Sequence, residues 1–202
     1  MRIVAGKFRA ARIEAPKGLA TRPTSDKVRQ ALFNVLEHGV PRFDLAGARV
    51  LDLFAGSGAL GLEAMSRGAR FCLFVDESAE ARAAIRRNVE ILLLTGATKI
   101  WRRDATRLGE AGTPAPFDLI FLDPPYGKSL GPRALQSAAA GGWIRDGAIA
   151  VLEDRADAVI ELPEAFQELD ARIYGETKIV VMRAFPALGN GPARWPETGR
   201  CG

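Results

Sequence analysis

From residue 49 onward, short and nearly continuous apolar runs alternate with segments in which apolar positions recur every three or four residues. The runs fall at 49–54, 71–75, 99–102, 118–122, 148–153 and 178–183, and helical patterns occupy 58–67, 78–94 and 130–140. Strands apolar on both sides, each leading into a helix, predict a parallel sheet covered on both faces. Residues 171–175, ahead of the last run, predict a closing hairpin that reverses the final strand. The front of the chain is patterned differently. Residues 2–14 alternate apolar and basic positions around Gly6-Lys7, which predicts a short N-terminal β-hairpin. Pro16, Gly18 and Pro23 mark a loop. Thr24 or Ser25 then caps a helix whose Val28, Ala31, Leu32, Val35 and Leu36 share one face, and His38-Gly39 with Pro41 stops it. Beyond Phe185 periodicity is lost and 7 of 17 residues are Gly or Pro, the composition of a disordered or loosely attached tail. Three regions result: a basic front over 1–40, an α/β domain over 41–185, and a tail over 186–202.

Charge sharpens this division. Between Met1 and Gln30 stand Arg2, Lys7, Arg9, Arg12, Lys17, Arg22, Lys27 and Arg29, opposed only by Glu14 and Asp26. The segment carries +6, which leaves −2 for the rest of a chain whose total is +4. A basic front on a near-neutral body is an electrostatic footprint for phosphates. Other classes fall away. The longest uncharged stretch is 11 residues, against about 20 for a membrane span. The first residues lack the apolar run of a secretory signal. Two distant cysteines, Cys72 and Cys201, frame no disulfide scaffold and suit a reducing, cytoplasmic setting. One histidine, His38, with two cysteines gives no metal cluster and no Ser-His-Asp relay. Cys72, His38, Trp101 and Trp143 read as structural residues, and Arg82, Arg86 and Arg87 as a solvated helix face.

The first strong strand leads into Asp52-Leu53-Phe54-Ala55-Gly56-Ser57-Gly58-Ala59-Leu60-Gly61. A G-x-G-x-x-G pattern between strand and helix lets the backbone turn tightly and approach a ligand that a Cβ would exclude. Asp76, twenty residues after Gly56 and at the end of the next strand, is placed to accept from ribose hydroxyls. NAD and S-adenosylmethionine both use this sheet corner. Asp104 and Asp123 end the following strands, so with Asp52 four successive strands deliver a carboxylate at or near the carboxyl edge, where open α/β sheets bind ligands. That set suits a ligand rich in hydroxyl and amino donors and a sulfonium cation better than a pyrophosphate.

Asp123 opens the segment Asp123-Pro124-Pro125-Tyr126-Gly127-Lys128. Two prolines fix their φ angles and remove two N–H donors, leaving a rigid, acceptor-rich loop. A carboxylate, fixed carbonyls and an aromatic ring suit a flat base bearing an exocyclic amine. Asp123 and the Pro124 carbonyl can accept the amine's hydrogens while Tyr126 stacks on the base.

Together these motifs resemble the class I S-adenosylmethionine-dependent methyltransferases that act on nucleobase amino groups. More narrowly, Met1 to Arg9, Arg22-Pro23-Thr24-Ser25-Asp26-Lys27-Val28-Arg29-Gln30-Ala31-Leu32-Phe33-Asn34 and Tyr174-Gly175-Glu176-Thr177 resemble the RsmD family of 16S ribosomal RNA guanine-N2 methyltransferases. The resemblance implies a Rossmann-like, mostly parallel seven-stranded sheet with a reversed last strand. It also implies a cytoplasmic monomer that methylates a guanine of the 30S subunit during assembly. By the same resemblance Asp52, Phe54, Gly56 and Gly58 hold the methionine end of S-adenosylmethionine. Asp76 takes the ribose hydroxyls and Asp104 the adenine amine, Ala55, Ser57, Glu77 and Ala105 also bind the cofactor, and Arg22 and Thr24 close over it. Asp123 to Tyr126 hold the target amine. Arg2, Lys7, Arg9, Arg12, Lys27, Arg29 and Lys128 grip RNA, and no metal takes part. Two other readings stay open: a DNA adenine-N6 methyltransferase, and an NAD-dependent oxidoreductase or non-catalytic nucleotide-binding module.

Overall fold

The computed structural model describes residues 1–16, 25–113 and 116–185. Seven strands, β1 (Arg49–Leu53), β2 (Phe71–Val75), β3 (Thr98–Trp101), β4 (Phe117–Leu122), β5 (Ile144–Arg155), β6 (Phe166–Tyr174) and β7 (Thr177–Ala184), form one sheet in the order β3-β2-β1-β4-β5-β7-β6. The first five are parallel, and β7 runs antiparallel to both β5 and β6. Helices α1 (Asp26–His38), α2 (Ala59–Ser66) and α3 (Ala79–Ile91) cover one face, and α4 (Leu130–Ala140) the other. Successive strand residues alternate between the two layers. Val50, Phe74, Leu119, Phe121 and Val151 pack with Leu32, Phe33, Leu62 and Ile85, whereas Leu51, Leu73, Ile120 and Leu152 meet Ala134, Leu135 and Trp143.

The predicted strands and helices are present, with shifted boundaries where polar residues interrupt the pattern. β5 begins at Ile144, four residues ahead of the apolar run, because Arg145-Asp146-Gly147 sit on an irregular stretch: Phe117 pairs with Ile144 but Leu119 with Ile149. β6 begins at Phe166 rather than 171. Glu168, Asp170 and Arg172 along it are the charges that an edge strand carries to discourage pairing with other chains. α1 starts where Ser25 Oγ accepts from the Val28 N–H, so Ser25 is its cap, and Thr24 lies outside the described residues, as does the predicted tail.

The front segment is less regular than a hairpin. One antiparallel bridge joins Arg2 to Arg12, with Ile3 N donating to the Ala11 carbonyl at 3.0 Å and Ile13 N to the Met1 carbonyl at 3.2 Å. The turn between them is closed by Ala10 N donating to the Ile3 carbonyl at 2.9 Å and is also anchored to the end of α2. Lys7 N donates to the Ser66 carbonyl at 2.7 Å, Phe8 N to Ser66 Oγ at 2.9 Å, and Ser66 Oγ to the Ala5 carbonyl at 2.6 Å. Gly6 fits because φ is +78° and because any Cβ would stand 2.0 Å from the Ser66 carbonyl oxygen. Ile3 and Ile13 point into the core beside α1, while Arg2 and Arg12 face solvent.

Glu63 of α2 ties this front to the sheet. Its fully buried carboxylate accepts from Val4 N at 2.7 Å, Ala5 N at 3.0 Å and Arg67 Nε at 2.8 Å, with Arg29 Nε 3.6 Å away. Arg29 also donates to the Arg2 carbonyl and, at 2.8 Å, to Asp26. The expectation that Arg29 grips RNA is therefore corrected: its guanidinium is sealed between α1 and α2 with no exposed surface. A buried cation persists only beside an anion, and removing the anion costs about 3–5 kcal/mol. Glu63→Gln should lower the unfolding free energy by about that much in urea. A loss below about 1 kcal/mol would show that the cluster does not hold the front in place.

Candidate functional site

The register of the parallel strands sets the site. Leu53 is level with Val75 on one side and Leu122 on the other, and Leu122 with Leu152. Phe54, Asp76 and Asp123 therefore leave the sheet at one height, level with Glu153, which is still paired with Ile179 of β7. Strand order reverses between β1 and β4, and at such a point the two following loops diverge and open a crevice. The β1 loop is shaped in advance: Phe54, Gly56 and Gly58 adopt φ of +59°, +57° and +78°. Ala55 N donates to the Val75 carbonyl at 3.1 Å and Gly58 N to the Ala55 carbonyl at 2.6 Å. A Cβ on Gly56 would meet nothing closer than 3.9 Å, whereas one on Gly61 would strike Phe74 at 2.4 Å and Cys72 at 2.6 Å. Gly61 thus serves close packing of α2 on β2, and Gly56 presents open backbone to the crevice.

Asp76 and Asn88 brace this loop. Asp76 Oδ2 accepts from Gly56 N and Oδ1 from Ser78 N, both at 2.8 Å, so the carboxylate joins the glycine turn to the start of α3. Each oxygen retains a lone pair for a further donor such as a ribose hydroxyl. Asn88, buried on α3 and missed in the sequence, donates to the Ser57 carbonyl at 2.9 Å and the Glu14 carbonyl at 3.0 Å and accepts from Glu14 N at 2.7 Å. The Ser57 hydroxyl lies 3.3 Å from Met1 Sδ. Arg82 is more than a solvated helix residue, since it donates to the Asp76 and Glu77 carbonyls at 3.0 and 2.7 Å. Glu77 is exposed beyond Asp76. Asp104 caps the single 3-10 turn Ala105–Arg107, accepting from Thr106 N and Oγ1, and these bonds hold its carboxyl below the usual range. Ala105 is buried beneath it.

Asp52 sits deeper than a strand-end acid. It is 2% exposed and accepts from Gly61 N at 3.0 Å, so it supports the start of α2 from below the loop.

On the other side of the crevice, Asp123 is half-buried, Pro124 is buried, and Pro125 and Lys128 are exposed. The Tyr126 hydroxyl lies 3.2 Å from Glu153 Oε1. Burial, then the charge of Glu153, push the Tyr126 phenol up to about 12. Glu153 lies two residues inside the end of β5, paired with Ile179, at the height where Asp123 has already left β4.

On the front, Arg2 and Arg12 stand side by side across the bridge, an arrangement of like charges that costs free energy unless an anion lies between them. Asp26 offsets part of this, 3.8 Å from Arg2 Nε. Lys7, Arg9 and Lys27 are exposed, and Arg22 lies outside the described residues. Trp101 and Trp143 pack edge to face at 5.6 Å, and His38 closes α1. Among the described residues no three His, Cys, Asp or Glu side chains gather to hold a metal, and no helix is long and apolar enough to cross a membrane. A shallow recess of about 640 Å³ near Glu110, Gly141 and Arg145 lies at the opposite edge of the sheet and contains none of the site acids.

Burial pushes the Asp52 carboxyl up to about 8, a rise that the Gly61 N–H opposes and the nearby Asp76 charge reinforces. Asp52 is thus protonated at neutral pH, whereas in the unfolded chain it ionises near 3.8. The folded state binds the extra proton, so stability falls as pH rises from 4 to about 8, by up to about 1.4 kcal/mol per unit. Asp52→Asn, which cannot ionise, should gain on the parent protein steadily between pH 5 and pH 8 in thermal unfolding. A gap that does not change with pH would contradict a buried neutral Asp52.

Comparison with known proteins bears on this geometry. Residues 1–183 match the family model described as Conserved hypothetical protein 95. A Bacillus subtilis relative named "Putative rRNA methyltransferase YlbH" is 36% identical over 188 residues, covering 91% of this chain and 98% of its own. The Escherichia coli protein named ribosomal RNA small subunit methyltransferase D is 31% identical over 157 residues, covering 78% and 76%. Among solved structures, "Putative methyltransferase yhhF" of Escherichia coli superposes with a TM-score of 0.77 at 28% identity, covering 93% and 99%. With its seven-stranded sheet, its glycine loop and this match over nearly its whole described length, the chain belongs to the Conserved hypothetical protein 95, or RsmD, family.

Proposed function

We propose that this protein transfers a methyl group from S-adenosylmethionine to the exocyclic N2 amine of a guanine in small-subunit ribosomal RNA, in a partly or fully assembled 30S particle. The observation that carries the reading is the placement of two loops at the reversal of strand order. The open glycine turn after β1 stands beside the rigid Asp123-Pro124-Pro125-Tyr126 loop after β4, level in register. The names of the relatives support the RNA substrate.

The residues present fit the cofactor. Gly56 offers backbone that no Cβ obstructs, and Asp76 and Asp104 are acceptors for hydroxyl and amino groups. Arg22 and Thr24 are assigned by the resemblance alone to the cover of that pocket. The cofactor supplies a methyl group already activated on a sulfonium, so the protein's work is mostly positioning. Asp123 and the Pro124 carbonyl accept the two hydrogens of the amine. Its nitrogen becomes more pyramidal, and its lone pair turns out of conjugation with the ring toward the methyl carbon. Asp123 would take the proton that the amine sheds as its nitrogen replaces sulfur on the methyl carbon, the neutral thioether being the leaving group. Tyr126 stacks on the base, a contact worth about 1–3 kcal/mol. Pyrophosphate chemistry finds no counterpart in this acidic crevice, which disfavours a dinucleotide.

Arg2 and Arg12 bridge one RNA phosphate or two adjacent ones, which removes their mutual repulsion. Lys7, Arg9, Lys27 and Lys128 extend the footprint. A guanine held in folded RNA must be unstacked to reach the crevice.

Incubation with labelled S-adenosylmethionine, undermodified small ribosomal subunits and duplex DNA, followed by mass spectrometry of nucleosides, should give N2-methylguanosine from the RNA. N6-methyladenine from the DNA would overturn the substrate. Asp123→Ala should lower turnover by at least about 100-fold, the scale of losing a group that acts on the transition state. S-adenosylhomocysteine affinity by calorimetry should meanwhile stay within about twofold, since Asp123 touches the amine and not the donor. Replacing Arg2 and Arg12 by Ala should reduce the log–log salt slope of RNA binding by about 0.7 if they share one phosphate and by about 1.4 if they hold two. An unchanged slope would remove the bridge from the footprint.

A further inference from the structure

Tyr126 occupies an unusual position for a stacking residue. Residues 125–129 of its loop are exposed, and the loop leaves through two left-handed residues, Gly127 at φ +77° and Ser129 at φ +49°. The ring itself is 37% exposed, so little packing holds it at any one angle. Its hydroxyl, however, reaches Glu153 at 3.2 Å. Glu153 is fixed. It lies in β5 with Ile179 of β7 as its register partner, directly after the Leu122–Leu152 pair, and it is 3% exposed.

We infer that Glu153 is a positioning residue for methyl transfer: it latches the Tyr126 hydroxyl so that the ring is held at the stacking angle before the base arrives. This rests on the reading of the Asp123 to Tyr126 loop as the amine pocket. A bond from a neutral hydroxyl to a carboxylate is stronger than one between neutral groups. The high phenol pKa keeps Tyr126 a donor at every physiological pH. A ring ordered in advance loses less conformational freedom when the base binds, and that saving appears as affinity for the target. The sheet thus reaches the substrate through two strands, with Asp123 from β4 touching the amine and Glu153 from β5 aiming the ring.

Six variants test this with small ribosomal subunits as substrate. Tyr126→Phe keeps the ring and removes the hydroxyl with its bonds to Glu153 and Thr177, so it should fold normally and lose about 10-fold in kcat/KM, mostly through KM, the size of one charge-assisted hydrogen bond. Glu153→Gln retains an acceptor and should stay within about threefold. Glu153→Ala should match Tyr126→Phe, and the double variant should be no worse than either, because both remove the same bond. S-adenosylhomocysteine affinity should be unchanged throughout. If Tyr126→Phe behaves as the parent while Tyr126→Ala is impaired, the latch is wrong and the amine pocket stands. If the losses from Glu153→Ala and Tyr126→Phe multiply in the double variant, Glu153 acts through something other than the hydroxyl, and the inference falls. If Tyr126→Ala and Asp123→Ala both retain full methyl transfer, the amine pocket itself is misassigned and the latch falls with it.

Discussion

A single buried carboxylate organises the half of the molecule that faces outward from the sheet. Glu63 lies on α2, the helix that follows the glycine turn, and gathers two backbone N–H groups of the front segment and two guanidinium groups, Arg29 of α1 and Arg67 just past the end of α2. Each partner alone is weak at a surface, but inside the protein each charge needs the others. The consequence is geometric. The segment bearing Arg2 and Arg12 is clamped to the helix that the glycine turn leads into, so the two surfaces keep a fixed relation.

Asn88 repeats the arrangement on α3, using its amide to fix both Ser57 in the turn and Glu14 in the front. With Asp76 bridging Gly56 to Ser78, every element around the β1 loop is held from at least two directions. The loop after β4 is rigid by a different means, two prolines and a tyrosine hydroxyl bound to the neighbouring strand. The crevice is therefore rigid on both walls, though the chemistry of each wall is unrelated to the other.

The alternating apolar runs were legible because burial on both faces leaves no choice of residue in parallel strands, and the acids ending them stood out against that background. The glycine turn and Asp123 to Tyr126 were legible for the same reason: each breaks a strand abruptly. What stayed hidden depended on partners distant in sequence. Arg29 counted as one basic residue among eight, and nothing local distinguishes a guanidinium meant for solvent from one that meets Glu63 across 34 residues. Asp52 looked like its three fellow acids, yet it is level with Phe74 and Phe121, two positions below Asp76 and Asp123, which places it beneath the loop. Glu153 was passed over because a charged residue near the end of a long β5 resembles a strand returning to solvent, and only its neighbour on β4 shows that it faces a tyrosine. The hairpin reduced to one bridge because Ser66 offers its turn better hydrogen-bond partners than a second strand could.

Phe54 is the one residue of the glycine turn that has a side chain and still adopts a left-handed backbone, at φ +59°. That conformation costs free energy on the order of 1 kcal/mol, and it persists because hydrogen bonds on either side dictate it. The folding of the protein has thus already met the expense of shaping the turn. A molecule arriving there has little ordering left to pay for, and its departure relaxes nothing. At such a turn the affinity of a ligand rests on the contacts it makes, because the loop has little conformational freedom left to lose.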